Sequence, residues 1–106
     1  MQGCANITGG GLLDNLIRVI PNDLGANIYL NNIKILKIFS WLKKQGISEK
    51  EMLKTFNCGV GFCIIIKKKN LWKIKKYFSK KYQPYIIGSI SHRKNKINTY
   101  GKINWD

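Results

Sequence analysis

Three consecutive glycines, Gly9, Gly10 and Gly11, stand directly ahead of Leu12, Leu13, Leu16, Ile17 and Ile20, and this junction constrains the chain more than any other feature. The apolar residues recur at the three- and four-residue spacing of an amphipathic helix, which Pro21 and Asn22-Asp23 close. Glycine in a helix interior costs up to about 1 kcal/mol relative to alanine, so the run belongs to the turn that starts the helix and not to its body. Two readings follow. The run is a tight turn with Thr8 as an ordinary N-cap, or it is a place where a ligand approaches the backbone. In the second case the free N–H groups and the positive end of the helix dipole hold an anion. No Gly-Lys-Ser/Thr follows and no strand is evident ahead of the run, so it is neither a P-loop nor a dinucleotide fingerprint.

The rest of the chain alternates helical and strand-like patterns. Ala26–Leu30 reads as a short strand, and Ile35, Ile38, Phe39 and Leu42 predict a helix that Gly46 stops. Ser48 and Glu51 form a capping box, with Ile47 and Met52 placed as a hydrophobic staple, so a helix is predicted over about 48–55. Val60–Ile66 carries apolar residues on both alternating faces apart from Gly61, the pattern of a central strand covered on both sides. Leu71, Ile74, Tyr77 and Phe78 predict an amphipathic helix over 71–82 with a solvated lysine face. Tyr85–Ile90 and Lys96–Trp105 read as two final strands joined by the polar turn Ser91–Asn95. The fold class expected is α+β, a mixed β-sheet with helices packed on it, in one domain.

Charge is the loudest bulk property, at a formal +14. Of the 19 basic residues 17 are lysine, however, and only Arg18 and Arg93 offer the planar fork that base and phosphate readers favour. Lysine, isoleucine and asparagine number 17, 17 and 11, and all three share A- and T-rich codons, so drift in base composition accounts for the excess better than selection for nucleic acid. Nucleic acid is therefore not expected as a partner. No apolar run reaches the roughly 18 residues of a membrane span, and no membrane partner is expected. Cys4, Cys58, Cys63 and His92 match no common zinc spacing, and three irregular cysteines make no disulfide framework, so no metal site is assigned and a reducing cytoplasm is the expected location. Trp41, Trp72 and Trp105 read as core or edge packing. Asn57 in Thr55-Phe56-Asn57-Cys58-Gly59-Val60-Gly61 either adopts a left-handed helix end or offers its amide to a ligand at the strand mouth.

Taken in order, Asn6-Ile7-Thr8-Gly9-Gly10-Gly11-Leu12, Asp14-Asn15, Arg18-Val19-Ile20-Pro21, Ile38-Phe39-Ser40-Trp41-Leu42, Glu51 through Gly61 and Ile87-Gly88 resemble the motifs of phosphoribosylformylglycinamidine cyclo-ligase, also called aminoimidazole ribonucleotide (AIR) synthetase. The resemblance spans nearly the whole chain. It implies that residues 1–106 are part of the carboxyl-terminal domain of an enzyme that closes an imidazole ring on formylglycinamidine ribonucleotide with ATP and Mg2+. It implies further that an amino-terminal domain or companion chain brings the nucleotide and metal ligands and that the full enzyme is a homodimer. Thr8, Gly9, Gly10 and Gly11 are then the phosphate contact, and Asn57 and Arg18 serve substrate binding or loop ordering. No catalytic residue is assigned. Asn6 stands where the family usually has histidine and Ile17 where proline is common, and asparagine cannot exchange a proton near neutral pH. The five carboxylates, Asp14, Asp23, Glu49, Glu51 and Asp106, form no obvious cluster, in keeping with metal ligands that lie elsewhere. The alternative expectation is a catalytically inactive basic fragment that binds a polyanion or acts as an interaction module.

Overall fold

A computed structural model describes residues 3–7, 10–93 and 97–106. Its elements run β1 (Gly3–Asn6), α1 (Gly11–Val19), β2 (Gly25–Tyr29), α2 (Lys37–Lys44), α3 (Glu49–Thr55), β3 (Phe62–Ile65), α4 (Leu71–Lys75), β4 (Gly88–Ser91) and β5 (Ile97–Tyr100), with single 3-10 turns at Leu30–Asn32, Lys68–Asn70 and Lys80–Tyr82. The class is α+β. Its strands form two small sheets: an antiparallel pair of β1 with β3, and a three-stranded mixed sheet in the order β4-β2-β5.

The local signals explain most of these elements. Ser48 caps α3, its Oγ accepting from the Glu51 amide at 3.2 Å. The reciprocal half of the box is replaced, since the Glu51 carboxylate accepts the Thr55 hydroxyl at 2.9 Å. Gly46 stops α2 in the left-handed region at φ +97°, its amide donating to the Lys43 carbonyl. Leu12, Leu16 and Ile20 line the buried stripe of α1, which packs on α3 and β1. With Ala5 and Ile7, Ala26, Ile28 and Leu30, Ile33, Leu53, Val60 and Ile103 they make one core.

Three expectations are corrected. A strand does precede the glycines: Gly3-Cys4-Ala5-Asn6 has poor strand propensity and is extended because it pairs with distant residues, Gly3 with Ile65 and Asn6 with Phe62. The strand at 60–66 is accordingly no sheet centre; among the described residues β3 pairs with β1 alone, and Phe62 is 60% exposed. The helix over 71–82 stops at Lys75, and a separate 3-10 turn follows. Lys73 and Lys76, three apart, and Lys76 and Lys80, four apart, are like-charge pairs with no nearby carboxylate to relieve them, and a helix this short needs tertiary support that α4 lacks. The two final strands, expected from the sequence with no partner assigned, join the three-stranded sheet on either side of β2. β2 lies between them, antiparallel to β4 (Ala26 opposite Ile90) and parallel to β5 (Ala26 opposite Ile97). Lys94, Asn95 and Lys96, part of the expected turn and strand, lie outside the described residues.

Candidate functional site

The β1–β3 pairing carries the two singled-out segments to the same end of the molecule. β1 leads into the glycine run, and β3 starts just after the Asn57 turn. The Ile7 amide donates to the Gly61 carbonyl at 2.9 Å, tying one segment to the other. Thr8 and Gly9 lie outside the described residues. Gly10 occupies the N-cap of α1 at φ +96°, and no side chain among the described residues caps this helix.

Gly11 shows why a residue without a side chain is required there. At φ +75°, a Cβ on Gly11 would fall 1.9 Å from the Leu53 carbonyl oxygen. The first turn of α1 is thus pressed against the backbone of α3, and Gly11 is buried. Part of the close approach the glycines permit is therefore between two helices of this chain. Beneath the joint, Asn15, 6% exposed, donates to the Gly11 carbonyl at 2.6 Å.

The second segment is a tight turn. The Val60 amide donates to the Asn57 carbonyl at 2.9 Å, and both intervening residues have positive φ, Cys58 at +54° and Gly59 at +99°. That combination defines the type I′ geometry. It is Cys58, and not Asn57, that takes the left-handed position. Asn57 Oδ1 accepts from the Gly59 amide at 2.9 Å, which stabilises the turn. Its Nδ2 makes no hydrogen bond among the described residues, which leaves one half-buried amide donor at this end. The Cys58 thiol is buried, donates weakly to the Met52 carbonyl at 3.6 Å, and is pushed up to about 11 by burial and then by the Glu49 carboxylate. Cys63 is likewise raised to about 11 by burial. Such thiols are protonated at neutral pH and pack as small apolar groups.

An open cleft of about 390 Å³ lies beside Gly10, between α1 and α3. Its charged lining is Asp14 from α1 and Glu49, Lys50 and Lys54 from α3. Lys50 and Lys54 are one helical turn apart and so share a face. Neither was singled out as a site residue from the sequence; the signal that places them is their i, i+4 spacing on the helix whose Leu53 backbone touches Gly11. Glu49 is committed to the fold, since its Oε1 accepts from the Ile103 amide at 3.2 Å. Arg18 is not part of this cluster. It is exposed in the last turn of α1, seven residues and roughly 10 Å of helix rise from Gly11. Asn6, at the end of β1, is exposed beside the glycine turn.

Against this geometry, comparison with known proteins is direct. Residues 1–100 match the family model described as AIR synthase related protein, C-terminal domain. The chain is 42% identical over 95 residues to the trifunctional purine biosynthetic protein adenosine-3 of Homo sapiens, covering 88% of this chain and 9% of that protein. The Gallus gallus protein of the same name is 41% identical over 91 residues, 85% of this chain and 9% of its own length. The Bos taurus protein is 46% identical over 67 residues, 62% of this chain and 7% of its own. The chain thus spans about a tenth of the length of these relatives.

Proposed function

We infer the reaction from one premise: this chain belongs to the family of AIR synthase related proteins, as their C-terminal domain. On that premise the chain contributes the carboxyl-terminal part of an ATP-dependent cyclo-ligase that converts formylglycinamidine ribonucleotide to aminoimidazole ribonucleotide in purine biosynthesis. The single observation that carries the reading beyond membership is the convergence of the chain leading to Gly10 and the Asn57 turn on one end, linked by Ile7 and Gly61, with a cleft beside Gly10.

In the reaction, ATP phosphorylates the formyl amide oxygen and a nitrogen of the same molecule displaces the phosphate. Such chemistry needs positioning and charge neutralisation more than covalent participation. The residues here fit the phosphate end of that task. Gly10 and Gly11 stand at the start of α1, where backbone amides face a phosphate, and Lys50 and Lys54 add positive charge across the cleft. Asn57 Nδ2 donates to a substrate oxygen, and Arg18 orders the neighbouring chain at the far end of α1. The residues do not fit a dedicated magnesium site. With Glu49 held by Ile103, Asp14 is the one uncommitted carboxylate of the cleft among the described residues, and a magnesium–nucleotide complex takes one or two carboxylates with phosphate and water. The remaining ligands are assigned to an amino-terminal domain or companion chain.

The test is reconstitution. The chain, combined with an amino-terminal AIR synthetase domain as a fusion or separate polypeptide, is expected to form aminoimidazole ribonucleotide from substrate and ATP, whereas either part alone is inactive. Asn57→Ala in the assembled enzyme should lower kcat/KM by about tenfold or more, the effect of losing one well-placed donor to a charged group. Ring closure by this chain alone would defeat the claim of dependence, and an inactive assembly with both parts folded would defeat the functional reading.

A further inference from the structure

The segment 67–82 behaves differently from the rest of the molecule. Eight of the 17 lysines fall in these 16 residues, and no carboxylate occurs between Glu51 and Asp106. Drift in base composition raises lysine along the whole chain and does not gather half of it into about a seventh of the length. The sequence pattern assigns Tyr77 and Phe78 to a buried helix stripe, yet the structure leaves Trp72 57%, Tyr77 86%, Phe78 43% and Tyr82 67% exposed. The segment packs chiefly on itself. The main partner of α4 is the 3-10 turn before it, and the Gln83 side-chain amide donates to the carbonyls of Phe78 at 2.6 Å and Lys75 at 3.0 Å, folding the following turn back on the helix. The result is a projection that joins exposed aromatic rings to dense positive charge.

We propose that this projection is a docking surface for a lipid bilayer bearing anionic headgroups. Three features select that occupant. Tryptophan and tyrosine combine an apolar body with a polar tip and favour the headgroup level of a membrane, while lysine stems lie along apolar surface with the ammonium in water. Attraction to an anionic leaflet depends on the number of charges and not on bidentate geometry, so lysine serves as well as arginine. Nucleic-acid readers use arginine forks and free ring faces, whereas this segment holds no arginine and Lys76 and Lys73 already sit over the Trp72 ring, at 4.3 and 5.8 Å from its centroid. The contact is peripheral, since no helix among the described residues is long and apolar enough to cross a membrane.

The test is cosedimentation of the full chain with vesicles at about 0.15 M salt, using phosphatidylcholine alone or with about a third replaced by phosphatidylserine. Binding is expected only to the anionic vesicles. The variant K75Q/K76Q/K80Q/K81Q should lose roughly a hundredfold or more in partitioning, while K34Q/K37Q/K43Q/K44Q, with the same change in net charge, should stay within about threefold of the native chain. W72A/Y77A, two exposed positions whose replacement leaves the core intact, should weaken binding to anionic vesicles by about tenfold. Equal partitioning onto neutral vesicles, absence of binding, or equal losses in the two quadruple variants would each overturn the proposal. So would capture by poly(U) or poly-glutamate without binding to vesicles, which would reassign the face to a nucleic acid or an acidic protein.

Discussion

Met52 on α3 and Trp72 on α4 are both large apolar side chains on short helices, yet the first is fully buried and the second is 57% exposed. α3 has seven residues and α4 five, so length alone does not separate them. Around α3 the local and tertiary layers agree: Ser48 caps the helix, acidic residues sit in its first turn, and Met52 and Leu53 are buried where it meets α1. From β3 to residue 86 the layers conflict. The helical pattern is present, but lysines three and four residues apart oppose it, no side chain caps α4, and α4 contains no buried residue. Apolar periodicity marks where a helix can form, and tertiary contact decides whether it persists.

The sharpest way to break this contrast is at the joint of the packed region. Gly11→Ala places a Cβ against the Leu53 carbonyl while holding a left-handed φ, so either α1 or α3 must move. Overpacking against backbone and a strained φ together should destabilise the chain by about 3 kcal/mol or more, read from the urea midpoint. Gly46→Ala is the matched control. Gly46 has φ +97° but nothing within 4 Å of an added Cβ, so only the backbone term remains, about 1 kcal/mol. Equal losses in the two variants would show that the α1–α3 contact is not close-packed.

The next test compares the two helices directly. Met52→Ala removes a side chain with no exposed surface and should cost about 2–5 kcal/mol, whereas Trp72→Ala should stay within about 0.5 kcal/mol in the same unfolding assay. A large loss at Trp72 would mean that the projection around α4 is an integral part of the core.

This division also governs what could be read from the amino-acid sequence. α1, β2, α2 and α3 were legible because their signals are local: the apolar spacing after the glycines, the stop at Gly46, and Ser48 with Glu51. β1 was not, because its four residues are extended only by pairing with β3 some sixty positions away. β4 and β5 were located, but nothing local to them reveals that β2 lies between them. Trp41 and Trp72 were assigned to packing by residue type, yet both are 57% exposed, since burial belongs to the assembled surface and not to the residue. In the candidate site the Gly10 and Asn57 segments were singled out individually. Their meeting through Ile7 and Gly61 depends on the β1–β3 pairing, and the placement of Lys50 and Lys54 in the cleft beside Gly10 depends on the packing of α1 on α3.

The smallest expected effect separates the packed region from solvent by titration. The Cys58 thiol, raised from 9.0 to about 11 chiefly by burial, holds its proton in the folded chain after the unfolded chain has released it. Between about pH 9 and pH 11 the unfolded state therefore binds fewer protons, and stability falls as pH rises. The contribution of the neutral thiol is complete below pH 9 and is lost as pH climbs through the folded value. Lysines titrate in the same range, so the informative quantity is a difference: Cys58→Ala should show a shallower loss of stability between pH 9 and 11 than the native chain. In parallel, exposed Cys4 should react with a thiol reagent at pH 8 at a rate set by solvent access, while Cys58 reacts only as fast as the α1–α3 region opens. If Cys58 were modified as fast as Cys4, the region around Met52 would be opening as freely as the projection at α4, and the contrast between the two halves would not describe the chain in solution.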